Sequence, residues 1–381
     1  MLRKLHKVEH YVNKAIKTRL ESALSAAYSI NRPGLRRAVE RPVASVSSLH
    51  RLVADTRENR LYLAKGRALG SGQPLRVGFV GLWEIGQTNI LPFYQHLLFE
   101  EGSDALEDLG PCSAADPRRQ AESFAGQADM VAVLAHRRRI WQPAEGAWVQ
   151  FPSVIRMAFH YHPGEDWPAI ERRMKSHRRN IALIRRENFT SEVSDRDEDF
   201  EFFYERMYLP MVQNRYKDYG SIVSKSGIYP LFKKHGQLVL VKDPAGEIVS
   251  AGLNYARSNV LFALINGVRD GDRDLIRKGA LAAVHYFVIR QGFELGVRCF
   301  DVGVGVPLKN DGVYQHKILW GYEPEWNLWD DDSVLFWAPQ STPAAVDWLR
   351  ANPAVPQFAR WGGPAMAELY EGMQKANSAQ G

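Results

Sequence analysis

The residues best placed to do chemistry crowd into one segment, 260–321, which runs VLFALINGVRDGDRDLIRKGALAAVHYFVIRQGFELGVRCFDVGVGVPLKNDGVYQHKILWG. Within it, a loop rich in glycine and charge precedes Arg277-Lys278-Gly279-Ala280 and a strongly apolar run. Read as the first turns of a helix, this is an anion site, because free N–H groups and the helix dipole favour negative charge and glycine lets a phosphate approach the backbone. Arg277 and Lys278 add charge, while Asp272 and Asp274 oppose it. Tyr314 and Lys317 stand three apart and share a face if GVYQHKILW is helical. A second cationic group surrounds a sparse apolar stripe of Ile170, Met174, Ile181 and Ile184: Arg172, Arg173, Lys175, Arg178, Arg179, Arg185 and Arg186. It reads either as a solvated face or as a contact for phosphates, the latter weakening steeply with salt. Other constellations point nowhere specific. Gly78, Gly81 and Gly86 lack the spacing of a dinucleotide fingerprint. His160 and His162 flank Tyr161 without a cysteine or a third ligand, so no metal site is expected.

These residues need a scaffold, and the pattern supplies one. Leu75–Trp83, Ala128–Ala135 and Val149–His160 read as buried strands, with Pro152 marking an edge or a bulge. Residues 35–70 read as a helical connector and 101–127 as a long surface loop. A helix is expected at 196–216. Two strands, 238–242 and 248–256, follow as a hairpin around Asp243-Pro244-Ala245-Gly246. Then come a strand at 260–268, a helix at 275–291, a strand at 297–302 and one or two more strands between 318 and 337. Hairpins make antiparallel neighbours and helical crossovers make parallel ones, so the layout is α/β (α+β) with a mixed sheet.

Taken together, the segment resembles the GNAT acyltransferase superfamily, and within it the Fem-type (FemABX-like, BioF2-like) branch. The carrying stretches are SHRRNIALIRREN (176–188), FYERMYLPM (203–211), the hairpin, INGVRDGD (265–272), GALAAVHYFVIRQGFELG (279–296), RCFDVG (298–303) and DGVYQHKILWG (311–321). The resemblance covers about 125–325 and implies two GNAT-like lobes, 70–195 and 196–337, each a mixed sheet flanked by helices, with a substrate cleft between them. It also implies transfer of an acyl group from an acyl-thioester donor to an amine of a small-molecule or glycan/lipid precursor. Acyl-CoA or an acyl-carrier protein would be a co-substrate rather than a bound cofactor. In such enzymes, backbone N–H groups near a bulge in the strand before the phosphate loop polarise the carbonyl, and a tyrosine protonates the departing thiolate.

Carried onto this sequence, Asp301 would face the cleft from a strand end, Tyr314 would be the acid, and Lys317 would hold donor phosphate or a substrate carboxylate. On that basis Lys317→Ala is expected to abolish transfer with the fold intact. Arg277, Lys278 and Gly279 would bind the donor, although the family's Arg/Gln-x-x-Gly-x-Gly/Ala run is compressed here to Arg277-Lys278-Gly279-Ala280. Arg178 and Arg179 would line the cleft from the other lobe as substrate-binding residues, with Tyr204 a further substrate contact. The branch also offers an aminoacyl-tRNA-dependent peptidyltransferase as an alternative, with tRNA as partner.

Composition bounds these readings. The 381 residues leave room for two domains, and 45% hydrophobic with 24% charged residues excludes a disordered or coiled-coil chain. The net charge of +6 is uneven. Residues 1–37 carry +7, residues 136–186 carry +7, and the remainder carries −8. Leu5, Val8, Val12, Ile16 and Leu20 mark one face of a basic N-terminal helix. Residues 1–69 are therefore expected to be a helical extension, with peripheral membrane contact through residues 1–30, and 338–381 a C-terminal tail rich in Pro and Ala with one helix at 363–375. A non-catalytic membrane-surface module is the reading from a different class. Cys112 and Cys299 alone cannot build a disulfide framework, which fits a reducing, cytoplasmic setting or the inner membrane surface. Oligomeric state is not legible in the sequence.

Overall fold

The computed structural model describes residues 59–85, 88–113, 115–124, 126–174, 178–216, 222–327 and 332–378. The basic helix expected at 1–37, its membrane contact and Lys175 lie outside the described residues. The chain begins with β1 (Asn59–Arg67), β2 (Pro74–Gly81), β3 (Glu84–Ile85), β4 (Thr88–Asn89), α1 (Leu91–Leu98), β5 (Ala105–Cys112) and α2 (Pro117–Glu122). It continues through β6 (Met130–His136), β7 (Ala147–Pro152), β8 (Ile155–His160), α3 (Trp167–Arg173), α4 (Arg178–Arg186) and β9 (Thr190–Ser194). Next come α5 (Asp197–Phe203), a π-helical turn at Tyr204–Tyr208, α6 (Leu209–Tyr216), α7 (Lys225–His235), β10 (Gly236–Lys242), β11 (Ile248–Arg257) and β12 (Val260–Val268). The last part holds α8 (Arg273–Arg277), α9 (Ala280–Glu294), β13 (Cys299–Gly305), α10 (Gly312–Leu319), β14 (Glu323–Trp326), β15 (Asp332–Ala338), α11 (Pro343–Ala351), β16 (Arg360–Gly362) and α12 (Pro364–Ser378).

Two compact units form. One contains Arg156–Val304 and His316–Glu325; the other contains the described residues through Ile155, Gly305–Gln315 and the residues from Trp326 on. The sequence reading put the lobe boundary at 195/196, whereas the units exchange chain at 155/156. The first unit holds a seven-stranded sheet of order β14-β8-β13-β12-β11-β10-β9, and the second a seven-stranded sheet of order β16-β7-β15-β6-β2-β1-β5. Each contains a parallel pair, β12 with β13 and β2 with β6, beside antiparallel neighbours. Helices flank both sheets, so the expected α/β architecture of two mixed sheets holds.

The strand expected at 149–160 is two strands in different sheets, divided at Pro152-Ser153, where the Ser153 N–H leaves β7 to bond Asp332 O at 2.9 Å. Residues 338–381 are not a tail: Trp348 and Tyr370 are fully buried against Phe79, Tyr94 and Phe336 in the second unit's core. The helical connector is wrong for 59–67, which pairs with β2 along eight residues. The long loop of 101–127 contains β5 and α2. The basic region 167–188 is two helices, and the apolar helix starts at Ala280 after the short α8.

In the first unit Phe200, Phe203 and Phe232 pack on Leu238, Leu240 and Leu253 of the sheet. The π-helical turn lies so close to β12 that a Cβ on Gly267 would sit 2.5 Å from Met207 C and Tyr208 N. Backbone cannot yield there as a flexible side chain would. Gly267→Ala is therefore expected to lower unfolding free energy by about 1–3 kcal/mol, the usual cost of overpacking, as read from denaturant melts.

Candidate active site

The first unit's sheet is open where a central strand pair should be closed. Of the nine residues of β12, only Val260, Leu261 and Phe262 pair with β13, opposite Cys299, Phe300 and Asp301. Beyond that point the two strands part. Residues 262–266 are half-buried although β12 is an interior strand, and Val304 on β13 is 48% exposed. β12 also carries a bulge. Asn254 of β11 faces Ala263 and Leu253 faces Ile265, leaving Leu264 as the extra residue. Beside the missing stretch of β13, β12 makes no ladder bonds on that side, and unpaired main-chain N–H groups are the kind of donor a developing oxyanion needs.

The sequence Asp301-Val302-Gly303 makes the parting. Gly303 has φ +75°, a conformation glycine adopts without a Cβ penalty, and it bends β13 two residues after the last pair. The Gly303 N–H donates to Asp301 Oδ1 at 2.8 Å and fixes the bend. Asp301 Oδ2 accepts from Arg156 Nε at 2.5 Å. Arg156, buried in β8, also donates from Nη1 to Glu325 Oε2 at 3.1 Å, and Glu325 Oε1 meets His160 Nε2 at 2.8 Å. Both oxygens of Asp301 are thus engaged in setting strand geometry, which corrects the expectation of a cleft-facing catalytic carboxylate.

Lys317 is buried as well. Its ammonium donates to Val302 O and Val304 O, each at 2.8 Å, taking carbonyls that a neighbouring strand would otherwise satisfy. It positions β13 and does not present a free charge to a donor phosphate. Tyr314 lies one turn earlier on α10, in the part of that helix grouped with the second unit. The Tyr314 N–H is capped by Asp311 Oδ1 at 2.7 Å, and burial pushes the phenol pKa up, keeping it protonated as an acid must be.

The donor loop is only partly as expected. Gly279 is the N-cap of α9 with φ +95°, and the side chain of Leu183 on α4 lies 3.3 Å from where its Cβ would be. Arg277 is exposed but ion-paired with Asp274, while Lys278 is exposed without an ion pair among the described residues. Arg178 and Arg179 are exposed on α4, in the same compact unit as the wedge and not in a separate lobe. Tyr204 is a core residue: it is buried, its hydroxyl donates to Val223 O at 2.9 Å, and it packs on Phe200 and Tyr208. It is not placed to contact a substrate.

Sequence reasoning missed Arg156, Glu325, His285 and His316. Arg156 did carry a signal, since a lone arginine inside the apolar run IRMAF must find carboxylates once buried. His285 of α9 and His316 of α10 approach at 3.5 Å between Nε2 atoms, and His285 Nδ1 bonds the Tyr322 hydroxyl at 3.1 Å while its ring stacks on Trp320. Among the described residues, no group of three or more His, Cys, Asp or Glu side chains converges as a metal site.

No family model and no curated protein matches this sequence. Solved structures do show likeness at low identity. L-PGS from Bacillus licheniformis is 12% identical, with 77% of this chain and 87% of that chain covered and a TM-score of 0.33. FemX is 13% identical, with 78% and 91% covered and a TM-score of 0.35. A tandem GNAT protein from the clavulanic acid biosynthesis pathway is 11% identical, with 87% and 96% covered and a TM-score of 0.29.

Proposed function

We propose that the chain is an N-acyltransferase that moves an acyl group from a thioester donor, acyl-CoA or an acyl-carrier protein, to an amine. The observation that supports this most is the wedge between β12 and β13, with its bulge at Leu264. A thioester carbonyl in the wedge would receive hydrogen bonds from β12 main-chain N–H groups, which stabilise the oxyanion as the amine attacks. The tetrahedral intermediate then expels the thiolate, and the proton released by the amine nitrogen leaves with it as free thiol. Asp301, Arg156 and Lys317 hold the strands apart and so keep these donors in place before the reaction begins, which is where preorganisation gains its advantage.

The test is a mass-spectrometric screen of acyl-CoAs and acyl-carrier proteins against a panel of amines with the full chain. Amide product with release of free thiol is expected for at least one pair. Release of thiol without amide, or amide formed only from charged tRNA, would contradict the thioester reading.

A further inference from the structure

A groove of about 840 Å³ lies on α3 and α4 of the first unit, within the size range of small-molecule sites. Its walls carry Arg172, Arg178, Arg185 and Arg186, and Ile181, Ala182 and Pro168 supply apolar surface. Not all of this charge is neutralised within the fold. Arg185 binds Glu171 through Nη2 at 2.9 and 2.7 Å, and Arg186 binds Glu187. Glu171 also accepts from the Tyr286 hydroxyl at 2.6 Å. Its partial burial would raise the carboxyl pKa, but the bonds from Tyr286 and Arg185 outweigh that and hold it below the ordinary range, so it stays ionised and committed. Arg172 and Arg178 are exposed and have no carboxylate partner among the described residues, whereas Arg277 on the loop expected to bind the donor is paired with Asp274. The groove is also next to that loop, because Leu183 of α4 packs on Gly279 at the start of α9.

We propose that this groove, and not the Arg277–Gly279 loop, binds the nucleoside polyphosphate handle of the acyl donor. The proposal deepens the transferase reading and rests on it for the identity of the ligand. Guanidinium forks match phosphate oxygens in pairs and remain charged at any working pH, and an apolar wall suits a base or ribose face.

Titration calorimetry on the full chain tests this with coenzyme A, ADP and tripolyphosphate as probes, and an RNA hairpin as comparison. R172E/R178E and R277E/K278E are the two variants. Their side chains are exposed, so melting curves are expected to match wild type. Coenzyme A and tripolyphosphate should compete in wild type. R172E/R178E should weaken both by about a hundredfold, about tenfold for each charge-assisted contact, while R277E/K278E stays within a few-fold of wild type. Unchanged binding in R172E/R178E, loss confined to R277E/K278E, or RNA preferred to coenzyme A would overturn the proposal. The two readings fail separately. If no amine is ever acylated but tripolyphosphate binds and is lost in R172E/R178E, the groove stands as a polyphosphate site and the transferase reading falls. If acyl transfer proceeds in R172E/R178E with an unchanged donor KM, the groove falls and the transferase reading stands.

Discussion

Arg156→Met should destabilise the protein by about 3–5 kcal/mol, the usual cost of leaving a buried charge without its partner. Arg156 has a side chain only 5% exposed, and Asp301 beside it is 12% exposed. Removing the guanidinium leaves the nearly buried Asp301 carboxylate without its charged partner and takes from Glu325 one of its partners. The methionine fills most of the volume, so the loss is electrostatic rather than a cavity. Arg156→Met/Asp301→Asn/Glu325→Gln should recover much of the stability for that reason. Equilibrium unfolding in urea reads both variants. Recovery would show that charge burial sets the cost; equal stability of the two variants would contradict it. The triple variant should still transfer poorly, because an asparagine holds the Gly303 bend less firmly than a carboxylate anchored by arginine.

Lys317→Met carries the second large effect. Two main-chain carbonyls, half-buried Val302 O and the more exposed Val304 O, lose their shared donor. An unsatisfied buried acceptor costs about 1–3 kcal/mol, and water can reach the exposed Val304 side, so a loss of about 1–3 kcal/mol is expected. Transfer should fall with it, since β13 is then free to shift across the wedge. This replaces the expectation drawn from sequence, in which a change at Lys317 removes activity and leaves the fold intact. Thermal unfolding and single-turnover transfer, measured on the same preparation, separate the two. Normal stability with no transfer would return Lys317 to a role at the donor.

Much of the first unit's sheet was legible because its signals are local. The hairpin of β10 and β11 is announced by Asp243-Pro244-Ala245-Gly246, and β12 by nine residues between Asn259 and Arg269. Elements without an apolar period were missed. β5, ALEDLGPC, is exposed along most of its length, and its ladder with β1 defines it. The helix at 363–375 is there as α12, but reading it within a tail misses that α11 and α12 bring Trp348 and Tyr370 into a core shared with residues far back in the chain, Trp348 bonding Leu97 O 251 residues earlier. The site divides in the same way. Asp301-Val302-Gly303 and Lys317 could be singled out from sequence, but their use could not. That use depends on Arg156, 145 residues away from Asp301, and on carbonyls that become available only because β13 bends. Side chains that look reactive in a sequence were drawn into holding the strands apart, and the donors of the proposed mechanism are main-chain groups that no residue type advertises.

Hydrogen–deuterium exchange of β12 and β13, with and without a non-transferable thioether analogue of the acyl donor, tests the wedge most directly. The wedge reading predicts that the amides within 263–266 and 302–304 that are not already bonded to a neighbouring strand or, for Gly303, to Asp301 exchange readily in the free protein and are protected when the analogue binds. Saturating binding of the analogue with exchange at both stretches unchanged would contradict it.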